Sequence, residues 1–118
     1  MTKIEFYKYK GNYFGFRESG HAEYEDEGKD IICSALSAMT MLIINTIETC
    51  FDSRVLYDID RETADIIVMA KDALSKYCDD EKKQYAIQNI FKGYYIQLKD
   101  MEEEYSDYIS VTETEKNI

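Results

Sequence analysis

Apolar and polar residues alternate from Lys3 to Lys10, where Ile4, Phe6, Tyr7 and Tyr9 are interleaved with polar side chains. Gly11-Asn12 interrupts the run before Tyr13, Phe14 and Phe16 resume it. A period of two broken by a glycine turn signal predicts a hairpin of two antiparallel strands. The next stretch, Gly20-His21-Ala22-Glu23-Tyr24-Glu25-Asp26-Glu27-Gly28-Lys29, is polar, carries glycine near each end and has no period, which predicts a mobile loop. Asp30 then stands where a helix cap would stand, and Ile32, Leu36, Met39, Ile43 and Ile47 follow at spacings of three and four. That stripe predicts a helix from about Ile31 to Cys50. Met41 and Ile44 fall off the stripe, so this helix is apolar on more than one face. Sandwiching between layers is the preferred explanation, with self-association next.

The second half repeats the scheme. Val55, Tyr57 and Ile59 alternate between Arg54 and Asp60, and Ala64 to Ala70 is again strand-like, so a second hairpin is expected. Between Asp80 and Tyr105, Ile87, Phe91, Tyr94, Leu98, Met101 and Tyr105 recur at three or four residues, the signature of a long amphipathic helix. Gly93 inside it costs on the order of 1 kcal/mol relative to alanine and is read as a tolerated glycine. Tyr108 to Thr112 predicts a short closing strand at a sheet edge or a subunit contact. The order strand-strand-helix-strand-strand-helix-strand predicts a two-layer α+β fold, with a mostly antiparallel sheet packed against two helices.

At 118 residues the chain, residues 1–118, is expected to be a single domain, and no proline- or glycine-rich linker divides it. Its 45% apolar and 32% charged residues are those of a globular chain and exclude collagen-like, repeat and tail readings. Twenty-four acidic against fourteen basic side chains leave a net charge of −10, which disfavours direct nucleic-acid binding and would draw in a basic peptide or protein. Cys33, Cys50 and Cys78 form an odd set without CxxC spacing, and Met1-Thr2-Lys3-Ile4 leads into a charged, aromatic segment rather than a signal peptide, so a cytoplasmic location is expected. The longest apolar run, Ile31 to Ile44, is interrupted by Ser34, Ser37 and Thr40 and falls short of the ~18 residues of a membrane helix. It reads as a buried core helix, with no membrane partner.

Candidate chemistry centres on His21, the sole histidine, and Cys33, twelve residues later in what is expected to be the first turn of a helix. Helix starts offer unpaired N–H groups and the positive end of the dipole, which favour a thiolate there. A thiolate, an imidazole for proton transfer and amides near Cys33 and Ser34 for an oxyanion are the parts a cysteine protease needs. The plainer alternative stays open: a cysteine in an apolar helix is a small hydrophobe, and a loop histidine is simply solvated. Ser37 lies one turn beyond Cys33 on the same face, where its hydroxyl can meet the thiol or bond back to the Cys33 carbonyl. Asp30 can cap the helix, orient His21, or do both. Cys50 and Cys78 are read as structural, and Tyr57, Tyr94 and Tyr95 as core aromatics. One histidine is too few for a zinc site, Asp58-x-Asp60 lacks the rest of a calcium loop, and Gly11-x-x-x-Gly15 lacks the lysine of a phosphate loop, so no metal is expected.

Gly20-His21-Ala22, followed by Gly28-Lys29-Asp30-Ile31-Ile32-Cys33-Ser34-Ala35-Leu36-Ser37, resembles the signature of the ribosomal-processing cysteine protease family. The order of elements resembles that family over nearly the whole chain. The resemblance implies a cytoplasmic, dimeric endopeptidase that needs no cofactor and removes the N-terminal extension of a large-subunit ribosomal protein. It makes His21 and Cys33 the catalytic pair, with Asp30, Ser34 and Ser37 as supporting positions. Gly20, Ala22, Glu23 and Gly28 belong to a substrate loop whose segment Gly20 to Asp30 is expected to order only on substrate binding. Glu23 departs from the small residue frequent at its position, and with Glu25, Asp26 and Glu27 it suits a basic substrate. Two rivals remain: a non-catalytic dimeric module that holds a basic ribosomal segment without cutting it, and a thiol redox sensor, which lacks a nearby resolving cysteine.

Overall fold

The computed structural model describes residues 1–20, 27–60, 62–63 and 65–118, with residues 27–30 as backbone. Strands β1 (Thr2–Tyr9) and β2 (Asn12–Ser19) form the expected hairpin. Helix α1 (Glu27–Asn45) runs into a π-helical turn, Thr46–Cys50. A second hairpin, β3 (Leu56–Ile59) with β4 (Ile66–Met69), leads to helix α2 (Glu81–Glu104) and the closing strand β5 (Ile109–Glu115). The sheet order is β3-β4-β2-β1-β5. Every pairing is antiparallel except β1 with β5, which is parallel. The expected α+β class, its element order and a mostly antiparallel sheet with two helices are all present.

Both helices pack on one face of the sheet. Phe6 of β1 pairs directly with Phe16 of β2, so the two rings share a face. Phe91 and Tyr94 of α2 meet Phe16 edge-on at 6.0 and 5.1 Å between centroids, and Tyr95 meets Phe6 at 5.3 Å. Ile32, Leu36 and Ile43 of α1, Ile47 of the π-helical turn, and Ile87 and Leu98 of α2 add to the core. Asp80 caps α2, its carboxylate accepting from the amides of Lys82 and Lys83. Gly93 has no atom near where a Cβ would lie, which fits a tolerated glycine.

The β1–β2 ladder contains a feature that plain alternation missed. Tyr7 pairs with Gly15 but Lys8 pairs with Tyr13, so Phe14 is an extra, bulged residue. The bulge lets Tyr13 and Phe16, three apart, both reach the rings of Phe6, while Phe14 meets Tyr7 instead. Gly15 lies so close to β4 that a Cβ would stand 2.4 Å from the Val68 carbonyl oxygen.

Three expectations are corrected. Helix α1 begins at Glu27, a turn before the expected start, so Asp30 is an interior helix residue and not the cap. Glu27 and Lys29 are good helix formers, and an acidic residue in the first turn complements the dipole, so polarity alone does not mark a loop here. Secondly, α1 is not sandwiched: Ile44 is buried, but Ile31, Met41 and Leu42 are 62%, 48% and 63% exposed, and no described element covers them. Thirdly, the helical segment Ile31–Cys50 is 20 residues long with mean hydropathy 1.7, long and apolar enough to cross a membrane by length and composition. Ile32, Leu36, Ile43 and Ile47 spend one face of it on the core.

Candidate active site

Cys33 sits on α1, half-buried, six residues after Glu27 and so in the second turn of the helix. The expectation that it lies in the first turn is therefore not met. The dipole effect fades beyond the first turn. An α-helix starting at Glu27 also directs the amides of Cys33 and Ser34 to carbonyls four residues back, which removes them as free oxyanion donors in this arrangement. Ser34 and Ser37 are exposed on the same helix. Gly28, expected in the loop, and Asp30, expected as the cap, both lie in its first four residues. His21, Ala22 and Glu23 lie outside the described residues.

Gly20, which leads to His21, is held tightly. Its φ is +83°, and a Cβ there would stand 2.5 Å from the Met1 carbonyl oxygen, so only glycine fits without displacing backbone. The exit from β2 is thereby fixed against the start of β1.

One residue escaped the sequence reading. Glu18 of β2 is fully buried on the helix-facing side of the sheet. Its Oε1 accepts from Tyr94 Oη at 2.6 Å and from Thr40 Oγ1 at 3.0 Å. Among the described residues its Oε2 meets no hydrogen-bond partner, and neither does the hydroxyl of buried Thr2, two residues before Ile4, which pairs with Glu18. Burial pushes the Glu18 carboxyl up to about 7 against the two hydrogen bonds, which lower it. Burial, and then the Glu18 charge, raise Tyr94 well above the usual tyrosine value. The signal was available in principle: Glu18 continues the inward alternation of Phe16, where an apolar residue belongs.

The remaining candidates separate. Among the described residues no two cysteines are joined in a disulfide. Cys50 is exposed, and Cys78 is half-buried with its sulfur 3.9 Å from the Asp80 carbonyl oxygen. Tyr94 and Tyr95 are core or near-core aromatics, but Tyr57 is 52% exposed on β3, which corrects its placement in the core. Among the described residues no group of three or more His, Cys, Asp or Glu is gathered as metal ligands would be. A groove of about 260 Å³ between the helices is lined by Met39, Leu42, Ile43, Ile90, Gly93 and Tyr94, among others, and is almost wholly apolar.

Comparison with known proteins gives a consistent outcome. The family model described as cysteine protease Prp matches residues 1–110. The ribosomal processing cysteine protease Prp of Bacillus subtilis (strain 168) is 26% identical over 97 residues, 82% of each chain. Among solved structures, SMU.848 from Streptococcus mutans superposes with a TM-score of 0.79 at 21% identity, covering 98% of this chain and 99% of that one. The essential ribosomal processing protease Prp of S. aureus, in complex with a substrate peptide, also gives 0.79, at 19% identity over 97% and 100% of the two chains. The same S. aureus protease with a covalently linked product peptide gives 0.75, at 20% identity over the same shares.

Proposed function

The chain belongs to the cysteine protease Prp family, and from that premise we propose that Cys33 is its nucleophile and His21 its general acid and base. The Cys33 thiolate attacks the scissile carbonyl carbon, and His21 protonates the departing amine as the tetrahedral intermediate collapses to a thioester. His21 then takes a proton from water, which attacks the thioester and frees the thiol. The observation that carries this reading is the match over residues 1–110, which spans both the Gly20-His21-Ala22 and the Asp30-Ile31-Ile32-Cys33-Ser34 segments.

The substrate in this reading is the N-terminal extension of a large-subunit ribosomal protein, processed in the cytoplasm. A basic extension is favoured by the net charge of −10. The enzyme acts as a homodimer, supported by the exposed apolar face of α1 at Ile31, Met41 and Leu42. Because the Cys33 and Ser34 amides are engaged inside α1, substrate binding reorders the segment from Gly20 to Asp30 to complete the site. Amide exchange in that segment that is unchanged by substrate peptide would count against this step.

The test is mass spectrometry of the protein incubated with the extension peptide, beside Cys33→Ala and His21→Ala. Cleavage by the parent and by neither variant is expected. An intact peptide that still binds would instead make the protein a binding module.

A further inference from the structure

Burying a carboxylate in a small core lowers stability, since the ionised form loses its hydration and an apolar side chain of similar size would pack at no such cost. Glu18 therefore calls for a reason other than stability, and its position supplies one. Along β2 it lies three residues before His21, and the strand's exit at Gly20 is pinned against the Met1 carbonyl. Across the core its Oε1 takes the hydroxyl of Thr40, which is seven residues beyond Cys33 on α1. Seven residues are two helical turns, so Cys33 and Thr40 lie along one face of the helix. The same oxygen takes the hydroxyl of Tyr94 from α2, and the two hydroxyls lie 3.5 Å apart.

One oxygen atom thus joins the strand that leads to His21 to the helix that carries Cys33. The apolar contacts around it tolerate small slides of helix over sheet, whereas a two-donor hydrogen bond specifies one placement. We propose that Glu18 is a positioning residue for the reaction: it sets α1, the helix that carries Cys33, against the end of β2, the strand that leads to His21. The inference rests on the assignment of that pair in the preceding section. Among the described residues Tyr94 from α2 is the one titratable group bonded to Glu18; Thr40 faces it from α1, Ile4 from β1 and Ile66 from β4. Among the described residues no basic side chain neutralises it, which is the electrostatic setting of a group held for geometry rather than as half of an ion pair.

The experiment compares the parent with Glu18→Leu, Glu18→Gln, Thr40→Val, Cys33→Ala and His21→Ala in steady-state peptide cleavage. Thermal melting is followed in parallel, and Cys33 alkylation by iodoacetamide is read by peptide mass mapping. Glu18→Leu and Thr40→Val are expected to lower kcat about tenfold to a hundredfold while leaving KM within about twofold, as for a misplaced reacting pair. Both are expected to slow Cys33 alkylation and to melt no lower than about 5 °C below the parent, which separates misplacement from unfolding. Glu18→Gln keeps the acceptor oxygen and is expected to bring kcat back to within about threefold of the parent. Parental kcat in Glu18→Leu overturns the proposal, as do a loss confined to KM, a loss that tracks a fall in melting temperature, or failure of Glu18→Gln to recover activity. Cleavage by Cys33→Ala or His21→Ala overturns the assignment of the pair, and the proposal with it, in arms distinct from the Glu18 and Thr40 arms.

Discussion

Replacing Glu18 by glutamine is expected to stabilise the protein at neutral and alkaline pH and to leave it nearly unchanged in acid. The carboxyl is raised from 4.5 to about 7 by burial, so the folded chain holds this proton more tightly than the unfolded chain does. Below about pH 4.5 both states are protonated and the contribution of the group is fully present. As pH rises toward 7 the unfolded state gains by ionising first, and stability is lost at up to about 1.4 kcal/mol per pH unit. Above pH 7 the loss is complete at about 3 kcal/mol, a large part of the ~5–15 kcal/mol that hold a typical domain together. Glutamine keeps an acceptor for Thr40 and Tyr94 but cannot ionise. Asp60 and Glu102, whose carboxyls hydrogen bonds hold below the usual range, act in the opposite direction, but both proteins carry them and the difference cancels them. The assay is urea denaturation, followed by circular dichroism, at steps from pH 4 to pH 8.5. The Gln-minus-parent difference is expected to grow with pH and level off near 7. A difference that is flat across the range, or that grows toward acid, refutes the reasoning.

Phe91→Ala removes a fully buried ring stacked edge-on against Phe16 and is expected to cost about 3–5 kcal/mol in the same urea assay at constant pH. Asp80→Ala leaves the Lys82 and Lys83 amides without their cap and is expected to cost about 1 kcal/mol, with Asp80→Asn recovering most of it. Gly20→Ala forces a Cβ against the Met1 carbonyl at a positive φ and is expected to cost about 1–3 kcal/mol, measured by thermal melting. The same change at Gly11, which also has positive φ but open space around it, is expected to cost less, so equal effects at the two glycines would remove the argument from close approach.

Local pattern carried most of the element list. The inward alternation of Ile4 and Phe6, the three-four spacing of Ile87, Phe91, Tyr94 and Leu98, and the Gly11-Asn12 break are short-range properties, and each reappears in the fold because burial of one face is what forms the element. The start of α1 was missed because Glu27, Gly28 and Lys29 carry no apolar signal; Glu27 and Lys29 favour helix by propensity, while Gly28 opposes it. The bulge at Phe14 was missed because it depends on where the rings of Phe6 and Tyr7 stand on the neighbouring strand.

By itself the sequence determined the α+β class, the element order, and the Gly-His-Ala and Asp-Ile-Ile-Cys-Ser segments that mark the family, since these reside in spacings of a few residues. Only the tertiary structure decided that β5 lies parallel to β1, that Cys33 falls in the second turn of its helix, and that Glu18, Thr40 and Tyr94 share one hydrogen-bonded site. Those three residues are 22 and 76 positions apart when counted from Glu18, and no local period brings such residues together. Their meeting is set by how two helices settle on a twisted sheet, where the area each buries is fixed locally but the partner it is buried against is not.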